Sequence, residues 1–96
     1  MTAYVIGLSE VHDLEGMTEY RQGVPATIAR YGGRMAMRAL VTEVLEGDAR
    51  PNSVVIFEFD SLEDARRWYT SPEYAAVRQH RLRSADSHVL LVRPPE

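Results

Sequence analysis

The side chains able to do chemistry in this sequence are few. They are an aromatic set of Tyr20, Tyr31, Trp68, Tyr69 and Tyr74, the histidines His12, His80 and His88, and arginines that include Arg38 and Arg81. Aromatic faces line sites for flat, apolar ligands, and at helical spacing they equally fill cores. Histidine exchanges a proton near neutral pH, so His80, expected to border such a site with Tyr20 or Tyr74 nearby, is the candidate general base. No spacing supplies it with an orienting partner, and a partly exposed helix histidine explains it as well. Arg38 presents the planar fork that suits a carboxylate. With Tyr20, Tyr31, Trp68, Tyr74 and Arg81 it makes up the candidate binding set. His12, Asp86 and His88 would meet at one end of a sheet if the first and last strands are antiparallel neighbours. Three such groups can hold a divalent cation, but the spacing matches no established metal signature, and no metal is assigned.

What is missing narrows the field. There is no cysteine, which removes disulfides, thiolate ligands and thiol nucleophiles. There is no lysine either, so Schiff-base chemistry and a lysine base are excluded. The formal net charge is −3 and the arginines are scattered from Arg21 to Arg93, so no basic stripe exists for a phosphate backbone to follow, and nucleic acid is not expected as a partner. The opening MTAYVIGLSEVHD shows neither a secretory pattern nor a membrane span; the expected location is the cytoplasm, with no membrane partner.

Positioning these residues requires one domain, residues 1–96, since 96 residues cannot build two cores. Residues 3–9 alternate as a strand, with Tyr4, Ile6 and Leu8 on one face and Val5, Gly7 and Ser9 on the other. Asp13 is a plausible N-cap. From Leu14, the positions Met17, Tyr20, Val24, Ile28 and Tyr31 line one helical face up to Gly32-Gly33. Pro25 is expected to kink or break this helix, because it lacks a donor and crowds the carbonyl of Arg21. Residues 34–46 are predicted as a long extended stretch with a bulge near Ala39-Leu40, and 47–52 as the turn. Residues 53–59 are the strongest strand, apolar on both faces except at Glu58. Ser61 to Asp64 approximates a capping box before a short helix with Leu62, Ala65 and Tyr69 inward; Ser71-Pro72 opens a second helical piece carrying Tyr74, Val77, His80 and Arg81. Residues 86–93 close the sheet. Arg38 and Glu58, on adjacent strands, are expected to form an ion pair that fixes register or partner choice.

A β-α-β-β-α-β order with right-handed crossovers gives an α+β fold: a four-stranded antiparallel sheet with both helices on one face. The other face would then be bare, although Val54-Val55-Ile56-Phe57 is apolar on both sides. A second copy in two-fold symmetry is the expected cover, since an isologous contact reuses one patch on both chains.

The sequence resembles a bacterial family known as the domain of unknown function DUF1330, within the dimeric α/β-barrel superfamily. The matching runs cover nearly the whole chain: Ala3 to Ile6, Val24 to Ile28, Tyr31 to Arg34, Arg38, Glu43 to Asp48, Glu58-Phe59, Trp68-Tyr69, Ser71 to Tyr74, Arg81 and Ala85-Asp86. The resemblance implies a ferredoxin-like fold and a homodimer whose two sheets form a barrel, with no assigned activity. It also brings the analogy of superfamily enzymes that use a cleft between helices and sheet: cofactor-independent monooxygenases, lactone isomerases and haem-degrading enzymes. The expected function is a homodimeric small-molecule-binding domain. Whether it is also a cofactor-independent enzyme acting on an apolar or aromatic metabolite stays open. The alternative is a non-catalytic structural or stress-associated dimer with no dedicated ligand. Haem breakdown is disfavoured by Ile6, Gly7 and Leu8, where the resembling enzymes carry a polar amide. RNA binding is disfavoured by the lack of an exposed aromatic platform. No cofactor is expected.

Overall fold

A computed structural model describes residues 1–96. The elements are β1 (Ala3–Val11), α1 (Leu14–Arg30), β2 (Gly33–Leu40), β3 (Ser53–Phe59), α2 (Leu62–Tyr69), α3 (Pro72–Ser84) and β4 (Ala85–Val92). This is the expected β-α-β-β-α-β order with the second helical connection in two pieces. All strand pairs are antiparallel and the order across the sheet is β2-β3-β1-β4.

The helix starts are built by the side chains their sequences announce. The Asp13 carboxylate accepts from the Gly16 amide at 3.2 Å, the Ser61 hydroxyl from Asp64 at 3.0 Å and the Ser71 hydroxyl from Tyr74 at 3.1 Å, with Pro72 where no donor is missed. α1 stops where Gly32 turns the chain at φ 78°, a left-handed conformation that favours glycine. The helix does not break at Pro25: α1 runs continuously from Leu14 to Arg30. Pro25 faces outward, and the buried Val24, Thr27 and Ile28 on either side of it hold the helix to the sheet.

β2 is shorter than expected and its irregularity lies elsewhere. Leu40 pairs with Ser53, the first residue of β3, so the chain beyond Leu40 has no strand opposite it. One further bond, from the Val41 amide to the Asn52 carbonyl at 3.0 Å, ends the ladder. Asn52 itself is claimed by β1, its side chain accepting from the Val11 amide at 2.9 Å and donating to the Val11 carbonyl at 3.1 Å. The register slips between Met35 and Met37, with Ala36 as the extra residue, and not near Ala39-Leu40. A one-residue insertion exchanges the two faces of a strand. Arg38 therefore lies opposite Val55 on the helix-covered face, and Arg34 lies opposite Glu58 on the other. The expected Arg38–Glu58 pair is replaced by Arg34–Glu58, with the Arg34 Nε donating at 3.0 Å, and Asp60 joins the same guanidinium at 3.2 Å.

The core lies between helices and sheet. Trp68, Tyr74, Phe59 and Val24 are its largest fully buried side chains. On α2 it is Ala65 and Trp68 that are buried, whereas Leu62 and Tyr69, expected inward, are only half-covered. The Trp68 ring lies 4.0 Å from that of Tyr74 between centroids and meets Phe57 edge-on at 5.6 Å. Its indole N–H donates to the Thr27 hydroxyl at 3.0 Å, which donates in turn to the Val24 carbonyl at 2.8 Å, so these two buried polar groups are satisfied. At Gly16 a Cβ would stand 1.9 Å from the Ser84 Oγ, and this close approach lets α1 and α3 pack side by side. No helix is long and apolar enough to cross a membrane.

Candidate functional site

Between the sheet and the three helices lies a cavity of about 40 Å³. Its floor is largely apolar, formed by Val5, Val55, Phe57 and Val89 of the sheet with Ser9 and Ser53 beside them, and its roof by Met17, Tyr20 and Val24 of α1, Trp68 of α2, and Tyr74 and Arg81 of α3. Met35 and Arg38, both exposed, and the half-buried Arg21 form the rim. A water needs roughly 10–15 Å³ of such space, so the cavity admits a few atoms and not a whole metabolite, for which sites of roughly 300–1,000 Å³ are usual. A ligand's head would enter and its body would remain toward the rim, or the helices would move.

Of the residues singled out from sequence, Tyr20, Arg38, Trp68, Tyr74 and Arg81 are brought together here. Tyr31 is not: it lies beyond the cavity with its hydroxyl donating to Glu73 Oε1 at 2.8 Å, which raises its own pKa and lowers that of Glu73. His80 is not there either, and its expected place beside Tyr20 and Tyr74 is corrected. It lies in an open polar groove with Asp13, Glu15, Thr18, Glu19 and Arg83, its Nδ1 2.9 Å from Glu19 Oε2. One residue along α3 turns a side chain by about 100°, which separates His80 from Arg81. The suggested metal group also fails to assemble. Asp86 pairs with Glu10 and His88 with Leu8, while His12 lies past the end of β1, and no three His, Asp or Glu side chains gather to hold an ion.

Sequence reasoning passed over Arg21 and Met35. Arg21 stands four residues after Met17 and three before Val24, a signal that would have placed it on the inner stripe. Met35 announces itself only through the register.

The electrostatics of the cavity are one-sided. The Tyr20 and Tyr74 hydroxyls bond to each other at 2.8 Å. Burial, and then the neighbouring Tyr74, push the Tyr20 phenol well above its ordinary range, so it is a neutral hydroxyl at physiological pH. Arg81 is 6% exposed and its guanidinium carbon lies 5.8 Å from the Tyr20 ring centroid. Burial opposes its charge, yet the Tyr74 and Tyr20 oxygens outweigh that and its pKa rises. Its Nε is buried with no hydrogen-bond partner. Burial, and then the charge of Arg38, lower the pKa of Arg21. None of these three arginines takes part in an ion pair, and no carboxylate lines the cavity.

Comparison with known proteins agrees with this architecture. The family model described as "Domain of unknown function (DUF1330)" matches residues 2–94. Among solved structures, the chain is similar to a protein of unknown function from Rhodopseudomonas palustris, at 19% identity and a TM-score of 0.81, covering 99% of this chain and 83% of that one. It is similar to a dimeric protein of unknown function and ferredoxin-like fold from Bacteroides fragilis, at 20% identity and a TM-score of 0.68, covering 95% and 94%. It is also similar to SnoaB, a cofactor-independent oxygenase from Streptomyces nogalater, at 16% identity and a TM-score of 0.68, covering 99% and 94%. At these identities the likeness establishes the fold, which is ferredoxin-like. No curated protein matches the chain.

Proposed function

The chain belongs to the DUF1330 family, and from the site just described we propose that it is a homodimeric domain that binds a small, largely apolar molecule in the cavity between helices and sheet. The observation that carries this is the cavity itself: a largely apolar floor under a roof of Tyr20, Trp68 and Tyr74, with Arg81, a buried arginine whose Nε lacks a partner, in its lining. Native structures rarely leave a buried polar donor orphaned, and a bound partner is one reason they do.

A second copy is the proposed cover for the helix-free face. There Tyr4, Ile6, Leu8, Val54 and Ile56 are only half-buried, and Met37 and Leu90 are 46% and 48% exposed. The molecule is a slab of 33 × 32 × 17 Å, so its broad face exceeds the roughly 800 Å² per partner of an ordinary stable interface. Arg34 and Glu58 sit side by side on this face, a charge pattern that a two-fold axis can match to itself. The description of the Bacteroides fragilis relative as dimeric supports the same assembly.

Catalysis without an organic cofactor is the second reading, favoured by the likeness to a cofactor-independent oxygenase. It needs a proton acceptor at the cavity, and His80 lies in a different groove while Tyr20 is held neutral. Binding is therefore the reading adopted. Thermal melting against a metabolite panel tests it: a native-state ligand raises the melting temperature saturably. The shift is expected to survive His80→Ala and to vanish in Val55→Phe, which fills the floor. A panel of flat apolar metabolites that leaves the wild type unshifted, or shifts it and Val55→Phe alike, would overturn the proposal.

A further inference from the structure

Resting on that cavity reading, we infer that the site selects ligands carrying a carboxylate on an apolar body, with Arg81 as the inner anchor and Arg38 and Arg21 at the rim. The chain holds 14 acidic residues against 11 arginines. Its other ion pairs join Arg30, Arg34, Arg67 and Arg93 to nearby carboxylates. In a chain with acid to spare, three arginines nevertheless converge on one cavity whose lining contains none.

Arg81 shows the deficit most sharply. Buried guanidinium groups are as a rule paired, because water is no longer there to solvate the charge. Arg81, 6% exposed, has only the faces and oxygens of two tyrosines, and its buried Nε donates to nothing. The Tyr20–Tyr74 hydrogen bond uses one of two hydroxyl protons and leaves the other without an acceptor. The Arg81 Nε–H and one tyrosine O–H are thus without an acceptor among the side chains that line the cavity. Arg21 and Arg38 act in the same sense, since two like charges at a half-covered rim are relieved by an anion between them.

Size and shape select the anion. A cavity of about 40 Å³ takes the two oxygens and carbon of a carboxylate. The planar fork of a guanidinium matches that group with parallel hydrogen bonds. The apolar remainder would lie along Val55 and Met35 toward the rim, among side chains that reward an aromatic or aliphatic body.

Benzoate is the probe, with benzamide as its neutral isostere and inorganic phosphate as the other common anion. Melting and the arginine Nε–Hε resonances are followed in wild type, Arg38→Gln, Arg81→Gln and the surface control Arg93→Gln. Benzoate is expected to raise the melting temperature saturably and move the Arg81 Nε–Hε resonance, with benzamide at least about tenfold weaker, the loss of one charge-assisted contact. Arg38→Gln, at an exposed position that leaves folding intact, is expected to weaken benzoate about tenfold, and Arg93→Gln not at all. Equal binding of benzoate and benzamide would overturn the carboxylate assignment while leaving the cavity reading standing. Tighter binding of phosphate than of benzoate would overturn it as well. Failure of both aromatic probes, with the Arg81 resonance unmoved, would remove the assignment and the cavity reading together.

Discussion

The chemistry of this protein turns on how single side chains are placed, and Tyr20 shows it well. An unfolded phenol ionises near its reference value of about 10. In the fold, burial and then Tyr74 hold the Tyr20 proton well past that point. The native state therefore keeps a proton that the unfolded state releases. Its contribution to stability is complete below about pH 10 and is lost as pH rises above it. Titration followed by tyrosine ultraviolet absorption is expected to leave Tyr20 un-ionised until the fold opens. Tyr20→Phe is expected to lower stability by about 1–3 kcal/mol, because the Tyr74 hydroxyl is left buried without its partner, and chemical denaturation measures it. Much of the candidate site is legible at this scale: Tyr20, Tyr74 and Arg81 fall on inner helical stripes that spacing reveals, whereas on α2 the spacing points to Leu62, Ala65 and Tyr69 and the buried aromatic is Trp68. His80 does not fall on such a stripe, since a residue at the edge of a stripe is assigned by whichever neighbour claims it, and Glu19 on α1 does so.

At the scale of elements the decisive feature is the bulge in β2. Were Ala36 paired in register instead of bulged out, Arg38 would stand opposite Val54, on the helix-free face, and the cavity would keep only Arg21 of its two rim arginines. Deleting Ala36 closes the bulge while Met37 stays opposite Ile56 and Arg38 opposite Val55, so its expected effects are a preserved benzoate response and a preserved proposed dimer. Calorimetric titration and sedimentation check the two effects separately. The alternation read from sequence slips near Ala39-Leu40, past the actual bulge at Ala36, because Met35, Ala36 and Met37 are apolar or small and suit either face. The end of β2 is hidden in the same way: 34–46 reads as one long strand because strand propensity does not reveal that Leu40 already pairs with Ser53, the first residue of β3, which leaves residues past Leu40 without a partner. Helix starts are plainer, because Asp13, Ser61 and Ser71 act through local bonds that do not depend on the rest of the fold. The continuity of α1 through Pro25 is the opposite case, in which packing of Val24, Thr27 and Ile28 prevails over local preference.

The order of elements was the most legible property of the whole molecule, since alternation and caps together leave few topologies open. A sheet covered on one side, with Ile6, Leu8, Val54 and Ile56 only half-covered on the other, is the reason a second copy is proposed. Ile56→Asp, at the centre of that face, is expected to convert the proposed dimer to a folded monomer of 10.9 kDa in sedimentation equilibrium, with circular dichroism unchanged. The proposed site and the proposed assembly are both open to one measurement, a crystal structure grown with benzoate. Two copies facing across their helix-free sheets, each with carboxylate density against Arg81 beneath Tyr20 and Tyr74, is the expected result. A cavity closed by its own side chains, with Arg81 turned to a protein carboxylate and no density beside it, would contradict the claim that this cavity is built for a ligand.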